Sequence, residues 1–543
     1  MRRKMNKKPK SNNLQGKQGR KDSRVRRVNL DNERLSKFER DESSYKTTPK
    51  SNDVSWYMRS PEIANAAANI GFAQVTGLRD GNNIVVPGVM VLPWVGSLGG
   101  FNDGRIHNAV NQAADAIYSY TVHANSRNTS YTSADMMMAI LAGKDVFVGI
   151  SNLIRVYGLM LKTNQENTYL PEALLRGCGF TDMVDLRSNY SHMLYDINDL
   201  ISQAKQIWIP NVMPILQRQF WMSTNVYMDS ESVKGQYYMF VPAVLRKWDD
   251  TTSSQGTSLQ VINTWNPLSG MTWSQAVQSI QTLINALMDS EYRGVIFGDF
   301  LKAYGEDNLF KLNYITSDYE VEAVYDKEVL TQIENSTSIL GSFSTPTANA
   351  GAIIQNASMG YIAEVQSEVG NLASQARQSF PSSGTINFHF KGQPTSADIM
   401  IATRLCAVGN AALGGPDLGN PTRIIGNIPA YCGTEYVVSP YTIKYNANGL
   451  ITTTRFATHY LMSEYNSSSE AMSVITNNSA FDWSPWLRTV SVSGGSPTQL
   501  PTVTTDGYIA DVDNYVVVTQ AELRRLHISA IMSEFGVPVL NNN

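Results

Sequence analysis

Cysteine is scarce in this 543-residue chain, and the little there is forms no pattern. Cys178, Cys406 and Cys432 stand far apart, with no CxxC pair and no Cys/His spacing of a zinc site. That usage excludes a disulfide framework and fits buried free thiols in a reducing compartment. No uninterrupted apolar run approaches the roughly 18 residues that span a bilayer, so stable membrane insertion is not expected. The amino-terminal residues have neither the apolar stretch of a signal peptide nor the amphipathic pattern of a transit peptide, which points to a protein made and used in a cytosol. Catalytic signatures are absent as well: there is no GxxxxGKS/T, GxGxxG, HExxH, GxSxG, EF-hand loop or Gly-Asp-Asp. No metal or cofactor is expected, and for a chain this long the empty search favours a structural role over an enzymatic one.

What is present is enough to fold. Hydrophobic residues make up 42% and charged residues 17%, sufficient for a sizeable core and too little charge for wholesale disorder. The length exceeds one ordinary core, so several domains or one heavily decorated domain are expected. The net charge of -3 hides an asymmetry. Residues 1–50 hold 17 Lys+Arg against 6 Asp+Glu, a balance of +11, and 51–543 hold 27 against 41, a balance of -14. A basic tail on an acidic body predicts a polyanionic partner for the tail alone.

Residues 1–29 contain no aromatic residue, almost nothing apolar and one acid, Asp22. Such a segment cannot offset its ordering entropy by burial and is expected to be disordered. Its basic residues, Arg2, Arg3, Lys4, Lys7, Lys8, Lys10, Lys17, Arg20, Lys21, Arg24, Arg26 and Arg27, are the candidate nucleic-acid contacts. They would neutralise phosphates without reading bases, because no aromatics interleave them for stacking. A nuclear localisation signal and an inert solvated tail are the competing readings. The dense basic part ends near Arg27; residues up to 51 read as linker, and the ordered body is expected over 52–543.

Within the body, Thr132-Ser133-Ala134-Asp135 has the form of a helix cap and precedes a long apolar stretch to about Leu161. That stretch reads as one buried helix or as a helix pair broken near Gly143 or Gly149. Residues 272–288 carry an amphipathic stripe, and a helix is expected over 520–535. Thr395-Ser396-Ala397-Asp398 repeats the first cap ahead of Ile399, Met400, Ile401 and Leu405; two independent uses of one good cap is the favoured reading, and a remnant of internal duplication the alternative. Strands are expected at 84–90, 237–241, 313–325, 385–390, 436–445 and 451–460. Loops rich in Ser, Thr, Gly and Asn fall at 249–260, 341–352, 381–384 and 492–507. The class is α+β, predominantly α-helical.

The six histidines, His107, His123, His192, His389, His459 and His527, are scattered and read as surface or core residues. Asp299, between Phe297 and Phe300, and Asp482, between Phe481 and Trp483, read as structural carboxylates rather than catalytic ones.

Several segments of the body resemble the capsid proteins of picobirnaviruses, non-enveloped viruses with segmented double-stranded RNA. They begin with Asn52-Asp53-Val54-Ser55-Trp56-Tyr57 and Val86-Pro87-Gly88-Val89-Met90. Tyr118 to Tyr120, His123, Ala134-Asp135 and Met137-Met138 follow, then Tyr238-Met239-Phe240-Val241-Pro242. Gly298-Asp299-Phe300-Leu301-Lys302-Ala303-Tyr304-Gly305 with Lys311-Leu312 is among the closest stretches. Ser396-Ala397-Asp398, Ala402-Thr403-Arg404-Leu405, Gly433-Thr434-Glu435 and Phe481-Asp482-Trp483-Ser484-Pro485 come next, and Leu526-His527 and Phe535 with Val537-Pro538 close the series. Each piece is weak alone; their order across the body makes the likeness specific, while 249–270, 335–385 and 487–510 depart from it.

The resemblance implies a helix-rich shell domain with a protruding domain, intimately paired or domain-swapped dimers, and an icosahedral shell around RNA. It also implies that the basic arm faces the genome and is subject to trimming. The location would be the virion, with assembly in the host cytoplasm. Against this stand a cytosolic RNA-binding hydrolase tethered by its arm, which needs a convergent catalytic cluster in a cleft, and a monomeric RNA-binding module, which needs a basic groove that the -14 balance disfavours.

Overall fold

The computed structural model describes residues 60–68, 88–98, 108–162, 169–231, 235–251, 256–339, 351–356, 361–364, 383–390, 392–413, 424–445, 451–456, 459–461, 474–493, 502–509 and 512–537. The arm and all twelve of its candidate RNA contacts lie outside them, as does the junction segment 52–57. The chain divides into two units, 1–72 and 73–543. In the first, the described element is helix α1 (Pro61–Ala68), opened by a proline and carrying Glu62 in its first turn, both favourable at a helix start.

The second unit begins with strand β1 (Val89–Gly96) and helices α2 (Ala109–Asn125), α3 (Ser133–Lys162), α4 (Tyr169–Gly177), α5 (Met183–Ala204) and α6 (Pro214–Thr224). Strands β2 (Val226–Met228), β3 (Tyr237–Pro242), β4 (Arg246–Asp249) and β5 (Ser258–Val261) lead to α7 (Trp273–Met288) and α8 (Glu291–Tyr304). After β6 (Ala323–Val324) come α9 (Lys327–Glu334), β7 (Ser338–Ile339), β8 (Ile353–Asn356), β9 (Tyr361–Glu364), β10 (Ser383–Phe388) and α10 (Ser396–Ala402). The chain continues through β11 (Ala407–Leu413), β12 (Ile424–Tyr431), β13 (Glu435–Val438), β14 (Tyr441–Tyr445), β15 (Ile451–Arg455) and β16 (His459–Leu461). It ends with β17 (Leu487–Ser493), β18 (Thr502–Ile509), β19 (Asn514–Thr519) and α11 (Gln520–Glu534). Helix exceeds strand among the described residues, and the fold is α+β as expected.

Strand β1 is the hinge of the main sheet. Its Val-Met-Val-Leu-Pro-Trp-Val sequence is apolar without alternation, the mark of a strand covered on both faces, and every residue in it is buried. On one edge it runs parallel to β3, Val89 opposite Tyr237 through Trp94 opposite Pro242. On the other it pairs first with β14 over Val89–Val91, then with β13 over Trp94–Gly96. Pro93, which has no N–H to donate, falls where one partner gives way to the next. The expected single strand 436–445 is therefore two, turned between them by Ser439 at φ 44° and by Pro440.

Helix α3 crosses behind this sheet for 30 residues, about 45 Å. Thr132 caps it: the Asp135 N–H donates to the Thr132 hydroxyl (3.2 Å) and the Asp135 carboxylate accepts from the Thr132 N–H (2.9 Å). Gly143 and Gly149 do not break it. They are small because neighbours are close: a Cβ on Gly143 would meet Ile209 Cδ1 at 2.5 Å, and one on Gly149 would meet Ile280 Cγ1 at 2.9 Å. By length and composition this helix could cross a membrane, which the run-length reading passed over because Lys144 and Asp145 interrupt it. Its apolar window is wholly enclosed by the protein, as a core helix is.

One expected strand fails, and three expected loops carry strand. Strand β5 begins at Ser258 within 249–260, β10 at Ser383 within 381–384 and β18 at Thr502 within 492–507, because neighbouring strands pair there. Residues 313–325 yield only the two-residue β6, because Asn198 replaces a ladder there: its Oδ1 accepts from the Ile315 N–H (3.0 Å) and its Nδ2 donates to the Ile315 carbonyl (3.1 Å). Of the segment 84–90, Val89 and Met90 are strand and Gly88 is not, while 84–87 lie outside the described residues. Helix α10 stops at Ala402, short of Leu405. All three cysteines are free and buried, as their spacing suggested.

Candidate functional site

The segments that carried the resemblance meet in space, and where they meet they form buried polar ties. Asp299, buried on α8, pairs with the Arg127 guanidinium and accepts from the Tyr131 hydroxyl (2.9 Å). Burial first, then this bond to Asp299, push the Tyr131 phenol far above its ordinary range. The Asn125 amide donates to the Asp299 carbonyl (3.1 Å), so α8 is pinned to the end of α2. The aspartate is a structural anchor, as its apolar neighbours suggested.

A second tie joins 481–485 to β3. The Tyr238 hydroxyl donates to Asp229 (3.0 Å) and accepts from the Trp483 N–H (3.1 Å). Burial raises Asp229 to about 6, and the nearby Asp482 charge adds to that shift. Burial also raises Asp482, against the pull of His389.

The third tie is ionic and almost fully enclosed. Glu435 at the head of β13 accepts from Arg218 Nε (2.8 Å) and Gln219 Nε2 (2.7 Å) on α6. The Thr434 hydroxyl lies within hydrogen-bond reach of Glu435 (2.5 Å) and of Glu534 on α11 (2.6 Å). Arg404 Nη1 bonds Glu534 (2.9 Å), and the Gly433 N–H donates to His527 Nδ1 (3.1 Å). Gln219 also accepts from Lys144 (2.9 Å), which pairs with Asp145 (2.6 Å), and Asp145 accepts from the Arg246 N–H (2.9 Å). Burial pushes Glu435 up, but Arg218 and three hydrogen-bond donors outweigh it and hold the carboxyl below its usual range. One continuous network thus binds α3, α6, β4, β13, the turn after α10 and α11.

His527 gives this network a pH signature. Burial, aided by the Arg404 charge and opposed by a backbone hydrogen bond with Leu98, lowers it to about 4. A depressed folded-state value means that the unfolded chain binds the proton more readily, so stability is fully present above about 6.5 and is lost as pH falls toward 4. The loss expected is about 3 kcal/mol. Asp229, raised, acts with opposite sign, its contribution present at low pH and lost as pH rises through about 6. Urea midpoints measured from pH 7 to 4 should fall less steeply in His527→Gln than in the parent; equal slopes would remove His527 from the account.

A pocket of about 600 Å³ opens beside the second tie, lined by Glu334, His389, Asn478, Phe481, Asp482 and Trp483 among others. His389 Nε2 lies 2.9 Å from Glu334 Oε1, and its ring meets Trp483 edge-on at 5.1 Å between centroids.

The remaining histidines are dispersed. His107 lies outside the described residues, and of His459 only the backbone is described. His192 is exposed on α5, and His123 Nδ1 sits 2.6 Å from the Ser119 carbonyl one turn back on α2. Among the described residues no group of three or more His, Cys, Asp or Glu is placed to hold a metal ion. The sequence pointed to Asp299 and Asp482 but missed Glu435, Arg218, Arg404 and Glu534, whose partners lie 130 and 217 residues away.

Comparison with known proteins agrees with this architecture. The family model for picobirnavirus capsid protein matches residues 56–455. A capsid protein precursor of Human picobirnavirus (strain Human/Thailand/Hy005102/-) is 26% identical over 535 residues, covering 91% of this chain and 92% of that protein. The crystal structure of the picobirnavirus capsid superposes with a TM-score of 0.67 at 20% identity, over 90% of this chain and 99% of the other.

Proposed function

The chain belongs to the picobirnavirus capsid protein family, and from that premise we propose that it pairs into dimers which close into an icosahedral shell around double-stranded RNA. Residues 1–51 are the lumenal arm, with Arg2, Arg3, Lys4 and the basic residues up to Arg27 neutralising phosphates without reading sequence. Residues 52–543 are the body, comprising shell and protruding domains. Its place is the virion, reached from the host cytoplasm, and its role is structural.

The observation that carries self-association is β19. Among the described residues it pairs with β10 alone, leaving its other edge unpaired. Tyr515, Val516 and Val517 are 60%, 49% and 52% exposed on alternate faces of that strand. Soluble monomers blunt such edges with lysine, proline or a covering element. An uncharged Tyr-Val-Val-Val edge is suited to a second copy of the chain, joined about a two-fold axis so that the same patch serves both partners.

Size-exclusion chromatography of the purified full chain should show particles and dimers. Exchanging Val516 and Val517 together for lysine should shift the material at least tenfold toward free subunits. A parent chain that runs as a monodisperse monomer under all conditions would overturn the proposal.

A further inference from the structure

We propose that the cavity beside Trp483 is a binding site for an organic cation of the alkylguanidinium class that carries a hydrogen-bond acceptor near its charge. At about 600 Å³ the space falls within the range of sites that enclose small molecules. Two of its lining residues hold buried polar atoms without partners. Glu334 Oε1 is engaged by Asn387 Nδ2 (2.8 Å) and by His389, whereas Oε2 has no partner. Asn478 Nδ2 is likewise a donor without an acceptor. Buried groups of this kind are rarely left unpaired, and a ligand bearing both a donor cation and an acceptor is complementary to the pair.

The remaining walls narrow the class. Asp482 adds a second, exposed carboxylate at the rim, so the site is acidic and repels phosphate. Phe481 and Trp483 offer aromatic surface, which attracts a carbon-borne cation. A bare metal ion is disfavoured because no three ligating side chains converge there. Between ammonium and guanidinium, the planar fork suits both a carboxylate and an aromatic face.

The test uses the full-length chain, nuclease-treated and stripped of RNA at high salt, titrated calorimetrically with N-acetyl-L-argininamide. Its neutral isostere N-acetyl-L-citrullinamide is the control. The expected result is saturable binding at one site per chain, weakened roughly tenfold or more for the citrulline probe and for Asp482→Asn. Glu334→Gln should do the same, but it also disturbs Asn387; the exposed Asp482 keeps the test independent of folding. Equal binding of the two probes, binding unchanged in Asp482→Asn, or no saturation up to about 10 mM would each overturn the assignment.

Discussion

Truncation of Glu435 to alanine is expected to cost the subunit about 3–5 kcal/mol of unfolding free energy and most of its soluble yield. The carboxylate is fully enclosed and receives Arg218, Gln219 and the Thr434 hydroxyl. Its removal takes away the one carboxylate bonded to Arg218, leaving that charge with Gln332 Oε1 at 3.0 Å, the Trp221 ring at 5.3 Å and the field of Glu534, and it leaves the Gln219 amide without its acceptor. Uncompensated buried charge is the expensive case; exposed pairs are worth little. The exposed Glu306–Lys311 pair is the internal control, and Glu306→Ala should change stability by less than about 1 kcal/mol. The double exchange Arg218→Met with Glu435→Leu should recover much of the loss, since apolar replacement of a whole buried pair is often tolerated. Urea unfolding of disassembled subunits at fixed concentration reads all three. A Glu435→Ala midpoint equal to the parent's would mean that the tie contributes nothing.

Deleting residues 1–50 is the second large effect. It removes a balance of +11 from each copy and leaves the -14 body. Particles should still form, because the apolar contacts proposed for assembly lie in the body, but their RNA content should fall to background in the nucleic-acid to protein absorbance ratio. In the free subunit the arm's hold on RNA should drop by about 10³–10⁵ between 50 and 200 mM salt, as expected for six to ten phosphate contacts. Truncated particles with parental RNA content would refute the role of the arm.

The parts legible in the sequence were those that local chemistry decides. Thr132 with Asp135 and Thr395 with Asp398 form the reciprocal caps their spacing suggests. Asn108, Asp182, Ser290 and Asp326 cap α2, α5, α8 and α9 one way, each side chain accepting a first-turn N–H with no bond returned, and Thr272 with Gln275 caps α7 reciprocally; the sequence pattern had singled out none of these. Gly143 and Gly149 left open whether one helix or two ran there, because a glycine kept small for close packing has the same letter as a glycine that ends a helix; the single buried helix is what forms. The strand expected at 313–325 did not form because Asn198, more than a hundred residues away, satisfies the backbone at Ile315. The pairings of Glu435 with Arg218 and of Arg404 with Glu534 were not legible for the same reason: a buried ion pair is a property of two distant positions, and neither alone announces it. The resemblance reached Gly433-Thr434-Glu435 and Leu526-His527 without saying why those residues matter; the structure supplies the reason, since they interlock.

The central claim is that this chain encloses a volume by closing on copies of itself. Electron microscopy of the purified full-length protein tests it most directly. Closed particles of uniform diameter with icosahedral symmetry in averaged images are the expected result. Only monomers, or open filaments and irregular aggregates at every salt and pH tried, would contradict it.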